Sequence, residues 1–153
     1  MGLVFLRIDD RLIHGQIVTT WMKEVNSNII IIANDLLAKD SFMKRMIELA
    51  APPGVKVEVR GVKDTTEVLG GERFEKDRVM VLAKTVEDVV GLHKHGLGFD
   101  YVNVGGMGAK AGTKVVYRNI SCSDTQMELL HQLKAEGIEI EFKIVPNEKG
   151  MKI

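Results

Sequence analysis

Short aliphatic runs separated by segments of helical periodicity constrain the fold of this chain more than any other feature of its sequence. The runs are four to six residues long, rich in Val and Ile, and lie at residues 3–8, 29–33, 55–59, 79–83 and 101–104. Such runs are typical of strands buried on both faces of a sheet. Their alternation with helices predicts βαβ units joined by right-handed crossovers. We therefore predict an α/β fold with a mainly parallel open sheet and helices on both of its faces.

The intervening segments and the last run complete this prediction. Apolar residues recur on one helical face at 17–25 and again at 42–50, where two prolines follow and end the helix. The sequences TVED at 85–88 and SDTQ at 123–126 resemble capping boxes that begin two more helices. In the last run, residues 138–144, apolar and charged side chains alternate. This alternation predicts a half-exposed carboxyl-terminal strand that is antiparallel or lies at the edge of the sheet.

Length, charge and cysteine content exclude several classes of protein. The chain has no linker, repeat or low-complexity segment, so we expect one domain over residues 1–153. Its 21 basic and 21 acidic side chains balance, which argues against non-specific binding to nucleic acid or to an anionic membrane. Cys122 is the only cysteine, which suits a reducing cytoplasm, and charges at 7–11 come too early for a signal peptide. The four histidines lack ligand spacing, so we predict no metal site.

Polar and glycine-rich residues collect where the predicted strands end. Ligands of open parallel sheets bind beyond the carboxyl ends of the strands, which makes this rim the candidate site. The rim residues singled out are Asp9, Asp10, Arg11, His14, Gly15 and Gln16 after the first strand, Asp35 after the second, Lys84 after the fourth, and Gly105, Gly106 and Met107 after the fifth.

The loop after the first strand carries the most chemistry. We expect a helix to begin near His14, and its free N–H groups near Gly15 and Gln16 would attract an anion. Arg11, three residues earlier, offers a planar guanidinium that suits phosphate oxygens. A helix start and a cation would keep the His14 imidazole neutral and available as a nucleophile. This combination indicates phosphoryl transfer through a phosphohistidine.

Simpler interpretations of the same residues stay open. A histidine near a helix start is often a cap or a surface residue, and Asp9 and Asp10 could cap the helix or hold Arg11. The glycines at 105–108 could form an ordinary turn, since they match neither the dinucleotide-binding fingerprint nor a P-loop.

Longer motifs extend the argument across the chain. The segment RIDDRLIHGQ at 7–16 resembles the phosphorylation-site loop of the sorbose/mannose-type IIB components of the bacterial phosphoenolpyruvate-dependent sugar phosphotransferase system. The resemblance continues in order through the rest of the sequence. Its further segments are NDLLAKD at 34–40, AAPPGVKV at 50–57, AKT at 83–85, NVGGM at 103–107 and GIEIEFKIVP at 137–146.

The resemblance implies a mechanism and a set of partners. His14, through Nδ1, would accept a phosphoryl group from a phosphohistidine of the IIA component and pass it to a sugar bound by the IIC and IID membrane components. The activity would be that of a protein-phosphohistidine–sugar phosphotransferase without metal or organic cofactor. The protein would be cytoplasmic and reach the membrane through its partners, and homo-oligomer formation is left open.

The resemblance also assigns roles along the rim. Arg11 corresponds to the family's phosphate-binding arginine, and Asp9 or Asp10 would orient Arg11 or His14. We expect phosphate-binding or supporting roles for the remaining rim residues, which are Gly15, Gln16, Asp35, Lys84, Gly105 and Gly106. Met107 is expected to dock the IIA component, because it is apolar and flexible and stands in a glycine-rich turn. The alternative is that Met107 packs under its own loop.

Two other classes compete with the carrier hypothesis. A histidine-dependent phosphatase or mutase would also use a histidine at a strand end, but such enzymes typically show Arg-His-Gly, whereas Ile13 precedes His14 here. A non-enzymatic phosphate-binding α/β domain would use Arg11 as an anion ligand and leave His14 inert.

Overall fold

The aliphatic runs form the strands of a central sheet in the computed structural model, which describes residues 2–153. The strands are β1 (Gly2–Asp9), β2 (Ile29–Ala33), β3 (Lys56–Arg60), β4 (Arg78–Ala83), β5 (Tyr101–Gly106), β6 (Thr113–Tyr117), β7 (Ile120–Ser123), β8 (Glu139–Phe142) and β9 (Met151–Lys152). Seven of them form one sheet in the order β3-β2-β4-β1-β5-β8-β9, while β6 and β7 pair separately as an antiparallel hairpin. Every neighbouring pair in the large sheet is parallel except β8 and β9.

Helices cover both faces of this sheet. They are α1 (Ile17–Val25), α2 (Asp35–Lys39), α3 (Ser41–Leu49), α4 (Val62–Gly70), α5 (Val86–Lys94) and α6 (Asp124–Ala135). Strand β2 shows why the runs are continuously apolar: Ile30 and Ile32 pack in a core with α1 and α2, whereas Ile29 and Ile31 pack in a second core with α4, α5 and α6. Both faces of the strand are therefore buried. The predicted fold class is confirmed.

The order of the strands places a switch point at the end of β1. This strand lies between β4 and β5, and the connection that leaves β1 carries α1 on one face of the sheet. The connection that leaves β4 carries α5 on the opposite face. A crevice opens where neighbouring connections diverge in this way, and ligands of open α/β sheets bind there.

The carboxyl-terminal part of the chain differs from the sequence prediction in detail. The alternating run at 138–144 forms β8, which pairs in parallel with β5 and is not the last strand of the sheet. The outermost strand is β9, which adds antiparallel to β8. The predicted antiparallel edge is thus present, but β9 supplies it. The β6–β7 hairpin and helix α4 were not predicted.

Helix α3 packs Ile47 against the core but leaves its other apolar side chains in solvent. We use the term α2–α3 apolar face for Leu36, Phe42, Met43, Met46 and Leu49, whose exposed fractions run from 40% to 79%. None of the α3 residues is fully buried. Amphipathic helices ordinarily bury such a face, so its exposure marks this surface as a candidate contact region. Among the described helices, none has the length and apolar character needed to cross a membrane.

Candidate functional site

His14 lies in the tight loop between β1 and α1. The loop turns through a hydrogen bond from Leu12 N to Asp9 O, with Leu12 and Gly15 in the left-handed region of backbone space. Helix α1 begins at Ile17, three residues after His14, so His14 lies in the loop before the helix and not in its first turn. The His14 side chain is 21% exposed, so the ring is partly open to solvent.

A buried carboxylate, Asp9, holds the two predicted site residues together. Its Oδ2 lies 3.0 Å from His14 Nε2, and its Oδ1 accepts a hydrogen bond from the backbone N–H of Arg11 at 3.0 Å. The Arg11 Nε atom lies 3.5 Å from the same Oδ1. Of the two aspartates that the sequence left open, Asp9 therefore orients both His14 and Arg11. Asp10 instead accepts a hydrogen bond from Gly108 N at 2.8 Å and ties this loop to the end of β5.

The electrostatic surroundings keep Asp9 ionised. Burial by itself would raise the pKa of the Asp9 carboxyl, but the hydrogen bond from His14 and the charge of Arg7 outweigh it and hold that pKa below its usual value. An ionised carboxylate can only accept hydrogen bonds, so His14 Nε2 must carry the proton. In the neutral imidazole this tautomer leaves the lone pair on Nδ1.

Arg7 completes the site and was not singled out from the sequence. The residue is 1% exposed and its side chain donates to Asp9 Oδ2 at 3.2 Å, while its guanidinium lies 5.3 Å from the centre of the Trp21 ring. The signal that could have found it is a charged residue inside an otherwise apolar buried strand. Arginine is almost never fully buried without a partner, so such a position predicts a buried acid nearby.

Gly105 and Gly106 support the site by leaving room for it. A Cβ atom at Gly105 would lie 1.9 Å from Arg7 Cζ, and one at Gly106 would lie 2.5 Å from Asp9 Oδ1. Side chains at either position would displace the groups that hold His14. Their support is therefore steric.

Two other rim residues, Asp35 and Met107, make structural contacts away from the His14 ring. Asp35 accepts a hydrogen bond from Val62 N at 2.8 Å and so fixes the start of α4. Met107 is only 6% exposed and packs in the core, with its Sδ 3.9 Å from Cys122 Sγ. The interpretation of Met107 as an exposed docking residue is wrong. The β6–β7 hairpin covers it, with Ser121 N donating to Met107 O.

The remaining rim residues stay close to the His14 loop. Gly15 and Gln16 connect His14 to helix α1 along the chain. Gln16 O accepts hydrogen bonds from the hydroxyl groups of Thr19 and Thr20. Lys84 follows β4 and lines an open cleft of about 310 Å³. That cleft joins the loop to the α2–α3 apolar face, and its lining includes Arg11, Ile13, Met43 and Met46. Over residues 2–153, no cluster of His, Cys, Asp or Glu could hold a metal ion.

Comparison with known proteins now identifies the family. A family model described as the PTS system sorbose subfamily IIB component, where PTS denotes the phosphotransferase system, matches residues 3–153. The chain belongs to this family. The resemblance seen in the sequence is thus confirmed, and the protein is a IIB component of a sugar phosphotransferase system. The matches support neither a phosphatase nor a non-enzymatic phosphate-binding domain.

Individual relatives agree with this family. The chain is 31% identical over its whole length to the sorbose-specific EIIB component of Lacticaseibacillus casei and covers 93% of it. It is 37% identical to the mannose-specific EIIAB component of Escherichia coli but spans only 47% of that longer protein. The crystal structure of the IIBSor domain of the Klebsiella pneumoniae sorbose permease superposes with a TM-score of 0.92 at 30% identity, covering 99% of this chain and 93% of that one.

Proposed function

We propose that His14 accepts a phosphoryl group on Nδ1 from a phosphohistidine of a IIA component and transfers it to a sugar held by IIC and IID membrane components. The proposal places the protein in the cytoplasm, where a soluble donor can reach it. The 3.0 Å contact between Asp9 Oδ2 and His14 Nε2 carries this proposal, because it directs the Nδ1 lone pair away from the carboxylate.

The site can assist the first half of such a transfer, from the donor to His14. When Nδ1 attacks phosphorus, the N–P bond of the donor breaks and the electron pair returns to the donor histidine. The His14 ring then carries positive charge, which the Asp9 carboxylate stabilises through Nε2–H. Arg11, whose side chain is 47% exposed beside His14, would offset the negative charge of the phosphoryl oxygens.

The other nucleophiles of the chain are less suited to this role. Cys122 is buried, and burial raises the pKa of its thiol to about 11, so little thiolate is available. His93 pairs with Glu136 at 3.0 Å near the end of α5, and His95 and His131 lie exposed at the end of α5 and on α6. Of these groups, only His14 stands beside Arg11 and Asp9.

Reconstitution of the phosphotransfer chain tests the proposal. Incubation with phosphoenolpyruvate, the general phosphocarrier proteins and a IIA component should place labelled phosphate on this chain. Labelling should require the IIA component. Labelling from a small phosphate ester in the absence of a protein donor would instead favour a phosphatase or mutase.

Arg11→Lys should slow this transfer about ten- to hundred-fold, because a hydrogen bond to a charged group contributes ~1.5–3 kcal/mol. Lysine retains the charge but loses the paired N–H geometry that matches phosphate oxygens. Rapid-quench measurement of labelled phosphate transfer provides the rate. A near-normal rate would show that Arg11 does not bind the phosphoryl group directly.

We expect the IIA component to bind to the α2–α3 apolar face. The cleft that joins this face to Arg11 and Ile13 makes it continuous with the His14 loop, so a protein placed over His14 would also cover it. Such a contact must be brief, which fits a small interface.

Met46→Asp should raise the KM for the phosphorylated donor about tenfold, equivalent to ~1.4 kcal/mol of binding. Met46 is half exposed, so the melting temperature should change little. Val115→Asp is a matched control, since Val115 is also exposed but does not line the cleft. An equal rise in KM for both variants would argue against a specific docking surface.

A further inference from the structure

Arg7 is a fully buried cation in the middle of the central sheet. Strand β1 passes between β4 and β5, and the positions on either side of Arg7 are the core residues Leu6 and Ile8. Burial lowers the pKa of the Arg7 guanidinium, and the neighbouring Asp9 carboxylate opposes that shift. A buried charge is tolerated only when it is paired and its hydrogen bonds are satisfied.

The contacts of Arg7 are specific and come from distant parts of the chain. Its Nη1 atom donates to the side-chain oxygen of Asn103 and to Lys143 O, the latter at 3.2 Å. Its Nη2 atom donates to Asp9 Oδ2 at 3.2 Å. The guanidinium also lies against the Trp21 ring, and the missing side chain at Gly105 provides the space that it fills.

Arg7 and His14 contact the same atom, Asp9 Oδ2. Asp9 Oδ2 accepts from Arg7 and lies 3.0 Å from His14 Nε2, whereas Asp9 Oδ1 accepts from the backbone of Arg11. The Asp9 carboxylate is therefore held at both oxygens, and Arg7 defines the direction in which Oδ2 meets the imidazole. A neutral group in place of Arg7 would leave Asp9 Oδ2 with His14 as its remaining side-chain partner and would remove the buried counter-charge of the carboxylate.

We propose that Arg7 is a positioning residue that acts through Asp9 to fix the His14 ring in its Nε2–H tautomer and so present Nδ1 for phosphoryl transfer. The inference rests on the proposed function for its effect on rate. Its effect on the tautomer concerns the unphosphorylated protein alone. Arg7 is buried and does not line the cleft beside Arg11, so we expect its removal to act on the transfer step and not on donor binding.

The test compares Arg7→Met and Arg7→Lys with the parent chain. Nitrogen-15 NMR of the histidine ring should show His14 of the parent almost entirely as the Nε2–H form, and a mixture of tautomers in Arg7→Met. We expect kcat for transfer to fall about ten- to hundred-fold in Arg7→Met with little change in the KM for the donor. Lysine restores the charge beside Asp9 but lacks the arginine fork, so Arg7→Lys should recover the tautomer in part.

A second variant covers the case in which Arg7→Met does not fold. Asn103→Ala removes one hydrogen bond from Arg7 without touching Asp9 or His14, and it should shift the tautomer ratio in the same direction by a smaller amount. A variant that lowers the melting temperature but retains the parent tautomer and kcat would overturn the inference and make Arg7 purely structural. Failure of the proposed function would look different: the parent would accept no label, whatever its tautomer.

Discussion

We expect His14→Gln to fold like the parent and to accept no phosphoryl group from a IIA component. The amide nitrogen of glutamine can still donate to Asp9 Oδ2, which now lies 3.0 Å from His14 Nε2, so the loop retains its anchor. Glutamine has no nucleophilic ring nitrogen, and therefore the covalent step cannot occur. Melting temperature and labelling with radioactive phosphate measure the two halves of this expectation.

The controls for this variant are His93→Gln and His131→Gln. His93 pairs with Glu136 beside Phe99, and His131 lies on the exposed side of α6, so neither contacts the His14 loop. Both variants should take up label like the parent. Labelling that persists in His14→Gln would remove this histidine from the mechanism.

Asp9→Asn should have the largest effect on stability of any change in the site. It would leave Arg7 buried without its acidic partner, and breaking a buried pair by removing one member costs about 3–5 kcal/mol. The hydrogen bonds that Asp9 accepts from Arg7, His14 and Arg11 would be weakened as well. Transfer per folded molecule should fall about ten- to hundred-fold, because the ring loses its charged partner.

Asp10→Asn is the matched comparison for that change. Asp10 is partly exposed and bonds to Gly108 N, so its substitution should cost about 1 kcal/mol. Urea unfolding of both variants gives the difference in free energy of unfolding. Equal losses for Asp9→Asn and Asp10→Asn would contradict the central place of Asp9.

Local patterns in the sequence were sufficient to locate strands β1 to β5 and β8 and to pair His14 with Arg11. A strand that is buried on both faces has no solvent-facing side chains, so its sequence is apolar throughout. For this reason β2 was predicted at its observed bounds, Ile29–Ala33. His14 and Arg11 stand close together along the chain, and one turn brings both to the same carboxylate. Such short-range relations can be read from spacing.

Long-range relations could not be read in this way. Arg7 contacts Asn103 and Lys143 only because β1 pairs with β5, and no local pattern encodes that pairing. Met107 is buried because the β6–β7 hairpin folds over it, and that hairpin was not predicted. The α2–α3 apolar face has the periodicity of a buried helix surface, but no other part of residues 2–153 covers it fully.

The position of the phosphorus on the His14 ring tests the account most directly. Nitrogen-15 and phosphorus-31 NMR of the chain phosphorylated by a IIA component would identify the nitrogen that carries it. The account predicts a phosphoryl group on Nδ1 of His14, with the proton retained on Nε2 opposite Asp9. Phosphorus bonded to Nε2 of His14, or to any other residue of the chain, would contradict it.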